Sequence, residues 1–157
     1  MFKPERILVP TDFSEKGAQS SKIAVKQAVL LAEQNDSEII FLHVITEDMD
    51  KKPLFFLDDI KIDQLKKKYS EHYNDELTKF AEKYINGRNI KYKIKIRDGV
   101  PYNEILKEEK ESGVDLISIA TRGLSGLQDF FYGSTTEKVV RRATCNVLVV
   151  RKVTDRD

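Results

Sequence analysis

The sequence predicts one α/β domain on an open, mostly parallel five-stranded sheet with helices on both faces. Three observations predict it. Five short apolar runs alternate with four segments of helical spacing. The run Glu38–Ile45 is apolar nearly throughout, the pattern of a strand buried on both faces of a parallel sheet. The 157 residues suffice for one domain with a real core, and no repeat, low-complexity tract or second boundary interrupts them.

Arg6–Pro10 is the first strand, an apolar run ended by proline. A helix of roughly Glu15 to Gln34 follows. Ala18, Ser21, Ala24, Val25, Ala28, Leu31 and Ala32 form its inner stripe, and their small side chains allow close approach to a sheet. Asn35-Asp36 breaks it, and Glu38–Ile45 is the second strand. An irregular connection from Thr46 to Asp59 carries the apolar patch Leu54–Leu57, either a lid over a crevice or satellite core under the next helix. That helix is long, with Leu65, Tyr69, Tyr73, Leu77, Phe80 and Tyr84 as its stripe, and Asn86–Asn89 ends it.

Ile90 to Arg97 alternates strictly, apolar at even positions and Lys or Arg at odd ones. This is a strand with one solvated face, its cations protecting a sheet edge. Pro101 opens a short helix buried through Ile105 and Leu106. Val114–Ala120 is the fourth strand, a helix follows around Thr135–Arg142, and Asn146–Arg151 is the last strand. Val147–Val150 shows no alternation. If it lies at an edge it must be covered, most simply by its copy in a second subunit; burial within its own chain is the alternative.

Charge excludes some functions. Lys+Arg number 27 against Asp+Glu 26, so the chain lacks the basic excess of a dedicated nucleic-acid binder. The single cysteine, Cys145, opens an apolar run and reads as a buried structural thiol in a reducing compartment. No signal peptide and no apolar run long enough for a membrane span is found, and a cytoplasmic location is expected.

The stretch Ile117–Glu137 carries the chemistry. It leaves an apolar strand, passes Gly123 and Gly126, and ends in Gly133-Ser134-Thr135-Thr136-Glu137 at a helix start. Ser134 and Glu137 have capping-box spacing. Free N–H groups and the positive dipole end at such a start bind anions. In open parallel sheets ligands lie at the carboxyl ends of strands where strand order reverses, so Pro10-Thr11-Asp12 and the end of the second strand at Val44 become candidates too. Asp12 either accepts hydrogen bonds from a ribose hydroxyl or base amino group, or caps the first helix. Arg122 either complements phosphate or lies solvated on the surface. His43, within an apolar strand, reads as a core histidine, and His72 as solvated. The many Lys and Glu between residues 61 and 111 read as solvated helix faces. No metal-ligand cluster, nucleophile elbow or Walker pattern is present. A phosphoacceptor receiver would need clustered acids and a lysine at strand ends, and the fourth strand ends instead in Ala120-Thr121.

At these residues the chain resembles the universal stress protein family, from Ile7-Leu-Val-Pro-Thr-Asp12 to Val147-Leu-Val-Val-Arg151. The ATP-binding branch carries Gly-x2-Gly-x9-Gly-Ser/Thr. Here the motif reads Ala120-Thr-Arg-Gly123, nine residues Leu124 to Tyr132, then Gly133-Ser134. The resemblance implies a parallel sheet in the order 3-2-1-4-5, Rossmann-like and similar to the adenine nucleotide alpha hydrolases, and a homodimer through the last strand at Val147–Val150. It implies adenosine contacts at Pro10, Thr11, Asp12, Val44 and Ile119. Ribose and phosphate contacts fall on Ala120, Arg122, Gly123, Gly133, Ser134, Thr135 and Thr136. The implied ligand is ATP, AMP or a related adenine nucleotide, with Mg as companion of the phosphates. Ala120 departs from the pattern: a methyl group interferes if the position needs φ > 0, and is tolerated if it keeps strand geometry. The expected function is a nucleotide-binding stress-response regulator, at most a slow ATPase because no general base stands out. The alternative is a dimeric interaction module that binds no nucleotide.

Overall fold

The central strand is β1, Arg6–Pro10, in which Ile7, Leu8 and Val9 are fully buried. Each contributes about 1.5–3 kcal/mol by leaving water. The computed structural model describes residues 1–13, 15–46, 58–121 and 134–151, and the backbone alone for 15–20. The further elements are α1 (Glu15–Asn35), β2 (Glu38–Ile45), α2 (Asp59–Ile85), β3 (Tyr92–Asp98), α3 (Pro101–Glu111), β4 (Leu116–Ala120), α4 (Ser134–Arg142) and β5 (Asn146–Val150). The strands form one sheet in the order β3-β2-β1-β4-β5, with every pairing parallel. Strand order reverses between β1 and β4, which are direct neighbours.

Side-chain alternation divides the core into two layers. Ile7, Val9, Ile39 and Phe41 face α1 and α2, where Ala24, Val25, Ala28, Leu77 and Ala81 meet them. Leu8, Ile40, Leu42, Ile117 and Ile119 face the other way, onto Ile105 of α3 and Val139 of α4. The small stripe of α1 lets it sit close to the sheet, and the buried Ser118 hydroxyl donates to the Ala24 carbonyl at 2.9 Å. Asp36 takes φ 57° as α1 ends, and the Ser37 amide returns to the Ala32 carbonyl. Asp58 caps α2 by accepting from the Lys61 amide at 2.9 Å.

Two surface readings are corrected. β3 is an edge strand with Lys93 and Lys95 exposed, as is Lys91 just before it, but Arg97 is not solvated like them. It turns onto α3 and pairs with Glu108 at 2.7 Å, Glu104 at 3.4 Å and Glu111. Burial alone would depress the guanidinium, yet the Glu108 and Glu111 carboxylates hold its pKa above the ordinary value. Three of the four acids of α3 likewise leave the solvated face, since Glu104, Glu108 and Glu109 are buried while Glu111 is exposed. Glu109 Oε1 accepts from the Thr144 amide (2.7 Å), the Thr144 hydroxyl (2.8 Å) and the Cys145 amide (2.8 Å), and so anchors the entry to β5. Cys145 is only partly buried, not sealed in the core. β5 lies at the other edge with Val147 to Val150 half-buried within the chain. The Leu54–Leu57 patch lies outside the described residues. No helix among the described residues is long and apolar enough to cross a membrane.

Candidate functional site

A cavity of about 720 Å³ opens at the carboxyl ends of β1, β2 and β4, beside the start of α4. That volume is in the range of small-molecule sites. Nine of the twelve residues expected from the sequence line it: Pro10, Thr11, Asp12, Val44, Ile119, Ala120, Ser134, Thr135 and Thr136. Arg122, Gly123 and Gly133 lie outside the described residues.

The cavity floor follows from the parallel sheet. β1 runs out at Pro10, and the chain crosses into the crevice as Thr11 and Asp12. The Thr11 amide still bonds the Leu42 carbonyl of β2 at 2.7 Å, so the turn stays attached to the sheet for one more residue. Ala120 is the last residue of β4, paired with Val150, and its neighbour Thr121 returns an amide bond to Val150 at 3.1 Å. Ala120 is therefore in strand geometry. Among the described residues positive φ occurs at Asp36, Gly87, Gly99 and Gly113, not here. The backbone does not require glycine at 120, and the methyl group becomes part of the wall.

α4 begins at Ser134 itself, which is exposed at the mouth of the cavity. Glu137, at capping-box spacing from Ser134, turns one carboxylate oxygen to Arg141 at 3.0 Å, one turn further on. The first turn is held by Thr136, buried, whose hydroxyl donates to the Ala120 carbonyl at 3.2 Å. Thr136 thus serves as a strut, while the exposed Ser134 and half-buried Thr135 put the N-terminal turn of α4, whose amides and dipole suit an anion, at the cavity.

The wall on the α2 side has no signature in the local sequence pattern. His43 is buried there; its Nδ1 donates to the Thr11 carbonyl at 2.9 Å. Its ring lies 4.5 Å from that of Tyr73 and 4.8 Å from Phe13. Burial lowers the His43 pKa below 6.5, although the Thr11 bond and the Asp12 charge oppose the shift. The imidazole is therefore neutral near pH 7, its Nε2 an acceptor. Burial raises the Tyr73 hydroxyl, which stays protonated. Exposed His72 and Glu76 complete the outer rim, and Ile105 contributes from α3. Tyr73 and Leu77 belong to one stripe of α2. Only the tertiary fold shows that Leu77 enters the core while Tyr73, one turn earlier, reaches the crevice. No group of three His, Cys, Asp or Glu side chains suited to a metal occurs among the described residues.

The class of protein defined so far is an open parallel α/β domain with a ligand crevice at its topological switch point. Comparison with known proteins narrows it. The model of the universal stress protein family matches residues 3–151, and the chain belongs to that family. Universal stress protein MJ0577 of Methanocaldococcus jannaschii is 34% identical over 162 aligned residues, covering 97% of this chain and 96% of that protein. The solved structure of MJ0577 superposes with a TM-score of 0.76 at 31% identity, covering 98% and 100% of the two chains. Universal stress protein YxiE of Bacillus subtilis is 34% identical, covering 93% of this chain and 98% of its own length. A universal stress protein of Archaeoglobus fulgidus in complex with dAMP shares the fold, with a TM-score of 0.59 at 15% identity over 94% and 98% of the chains.

Proposed function

We propose that this chain is a cytoplasmic stress-response regulator that holds ATP, AMP or a related adenine nucleotide in the crevice. The observation that carries the reading is the meeting of the β1 and β4 ends with the N-terminal turn of α4 around one cavity. The dAMP complex of the A. fulgidus protein, built on the same fold, supports an adenine nucleotide as the ligand class. The apolar strand ends Val44, Ile119 and Ala120 flank the base. Asp12 accepts from a ribose hydroxyl. Ser134 and Thr135, with Arg122, Gly123 and Gly133 of the preceding loop, bind the phosphates, which carry Mg as their counter-ion. Ala120 in strand geometry fits such a ligand.

Turnover is at most slow. His43 is neutral, but its Nδ1 is engaged by Thr11 and its ring lies in the aromatic corner on the α2 side. The protein works as an occupancy switch rather than a fast ATPase, and it dimerises through β5. Denaturing purified protein and identifying released molecules by ultraviolet absorbance and mass spectrometry tests the reading, together with ATP titration of stripped protein. Released or saturably bound adenine nucleotide is expected. No nucleotide and no saturation at millimolar ATP would leave the dimeric interaction module.

A further inference from the structure

One peptide plane in the crevice is held at both ends by side chains from other elements. The Thr11 carbonyl accepts from His43 Nδ1 at 2.9 Å. The Asp12 amide donates to Ser21 Oγ at 3.0 Å. That carbonyl and that N–H belong to the same planar unit. β2 therefore grips the plane from one side and α1 from the other. Thr11, Ser21 and His43 are each more than nine-tenths buried, at 6%, 6% and 9% exposure. Rotating the plane would break two bonds where water has little access to replace them.

The orientation of this plane sets φ of Asp12, and with it the direction in which the Asp12 side chain leaves the backbone. We infer that Ser21 and His43 are positioning residues that aim the Asp12 carboxylate at the ligand's ribose and so set selectivity for a ribose diol. The inference rests on the proposed reading of Asp12 as the ribose contact.

Each grip is itself held. Phe13 and Tyr73 pack on the His43 ring and fix its rotation. Nδ1 carries its proton in both the neutral tautomer that donates to Thr11 and the charged ring, so the bond survives titration. Ser21 stands on the buried stripe of α1, just before the core residues Ala24 and Val25. A hydroxyl on that otherwise apolar stripe is accounted for by the Asp12 amide.

The test compares ATP with 2′,3′-dideoxy-ATP by calorimetric titration of the full chain and its variants, with folding checked by circular dichroism. Wild type is expected to prefer ATP, and Asp12→Asn to erase the preference. Ser21→Ala and His43→Leu should each weaken ATP binding about 3- to 10-fold, the worth of one hydrogen bond, and weaken the dideoxy analogue less, so that the preference for ATP shrinks. His43→Asn, whose amide nitrogen occupies the place of Nδ1, should restore the preference lost in His43→Leu. If Ser21→Ala fails to fold, the His43 pair carries the comparison. Equal losses for both ligands, or an unchanged preference in Ser21→Ala and His43→Leu while Asp12→Asn loses it, would overturn the positioning role alone. A wild type without preference, or a preference kept in Asp12→Asn, would overturn the ribose reading and the inference with it.

Discussion

The Thr136 hydroxyl donates to the Ala120 carbonyl across 3.2 Å, tying the first turn of α4 to the last residue of β4. The two ends of the proposed phosphate loop are thereby fixed in relation to each other. Thr136→Val keeps the shape and removes the bond. It should cost about 1 kcal/mol in urea denaturation and weaken ATP binding by a few-fold. Ala120→Gly should leave ATP affinity within about threefold, because the position already has strand geometry, and cost only about 0.5–1 kcal/mol of stability. A large affinity gain in Ala120→Gly would show that the methyl group obstructs the ligand.

The strands are legible in the sequence because apolar runs and loop glycines report burial and turning directly, whereas the order in which they pair followed from the family resemblance. β2 was read at its observed bounds, Glu38–Ile45. What escaped were residues whose role depends on which element packs opposite. Arg97 looked like one more cation in an alternating strand. Glu104, Glu108 and Glu111 are spaced by four and three, so they share one helix face, and that pattern could have announced a cationic partner. In the sequence Ser21 is one more small residue on a stripe and His43 one more member of an apolar strand. Both are buried as that pattern implies, but their bonds to the Thr11–Asp12 peptide are not encoded in any local pattern. Thr136 lines the cavity as the motif implies, and no local pattern shows that its hydroxyl also ties α4 to the Ala120 carbonyl of β4.

Stability should fall as pH drops below about 6.5 through the action of His43. Its folded pKa lies under the unfolded value of 6.5, chiefly from burial. Between the two values the unfolded chain takes up a proton that the folded chain does not. The stabilisation is whole above 6.5 and is lost as pH falls through the folded value. In urea titrations from about pH 7.5 to 5.5, His43→Asn should show a flatter pH dependence than wild type. Identical slopes would place the titration elsewhere.

Cys145 should be a poor nucleophile. Burial, then the nearby Glu109 carboxylate, pushes its thiol up to about 12 from an ordinary 9.0. Its thiolate fraction near neutrality is therefore about a thousandfold below that of an unperturbed thiol, and alkylation by iodoacetamide should slow accordingly. Glu109→Gln removes one cause of the shift and should speed alkylation. It also weakens the acceptor for Thr144 and Cys145, so β5 should fray and the melting temperature fall. Fast labelling of the folded wild type would contradict this account.

The acid side of the stability curve tests the same carboxylate. Burial would raise the Glu109 pKa, but the bonds from Thr144 and Cys145 outweigh it and leave the value below 4.5. Glu108 is lowered in the same way by Ser112 and Arg97 against its burial. Both contribute stability above pH 4.5 that is lost as pH falls through their folded values. Glu109→Gln should therefore be less stable than wild type at neutral pH, and the gap should narrow below about pH 4. A constant gap would mean that Glu109 acts through its shape and not its charge.

β5 ends the sheet, paired along one edge to β4 with no strand on its other edge among the described residues, and its side chains from Val147 to Val150 are only half-buried. An apolar edge of this kind invites pairing with another chain. If a second copy pairs there, Val149→Glu places a charge at the centre of the interface and desolvates it twice in the symmetric dimer. The substitution should yield a monomer by sedimentation velocity with helix content unchanged. Val140→Glu, on the exposed flank of α4, serves as a comparison for charge alone. A Val149→Glu protein that remains dimeric would locate the subunit contact away from β5.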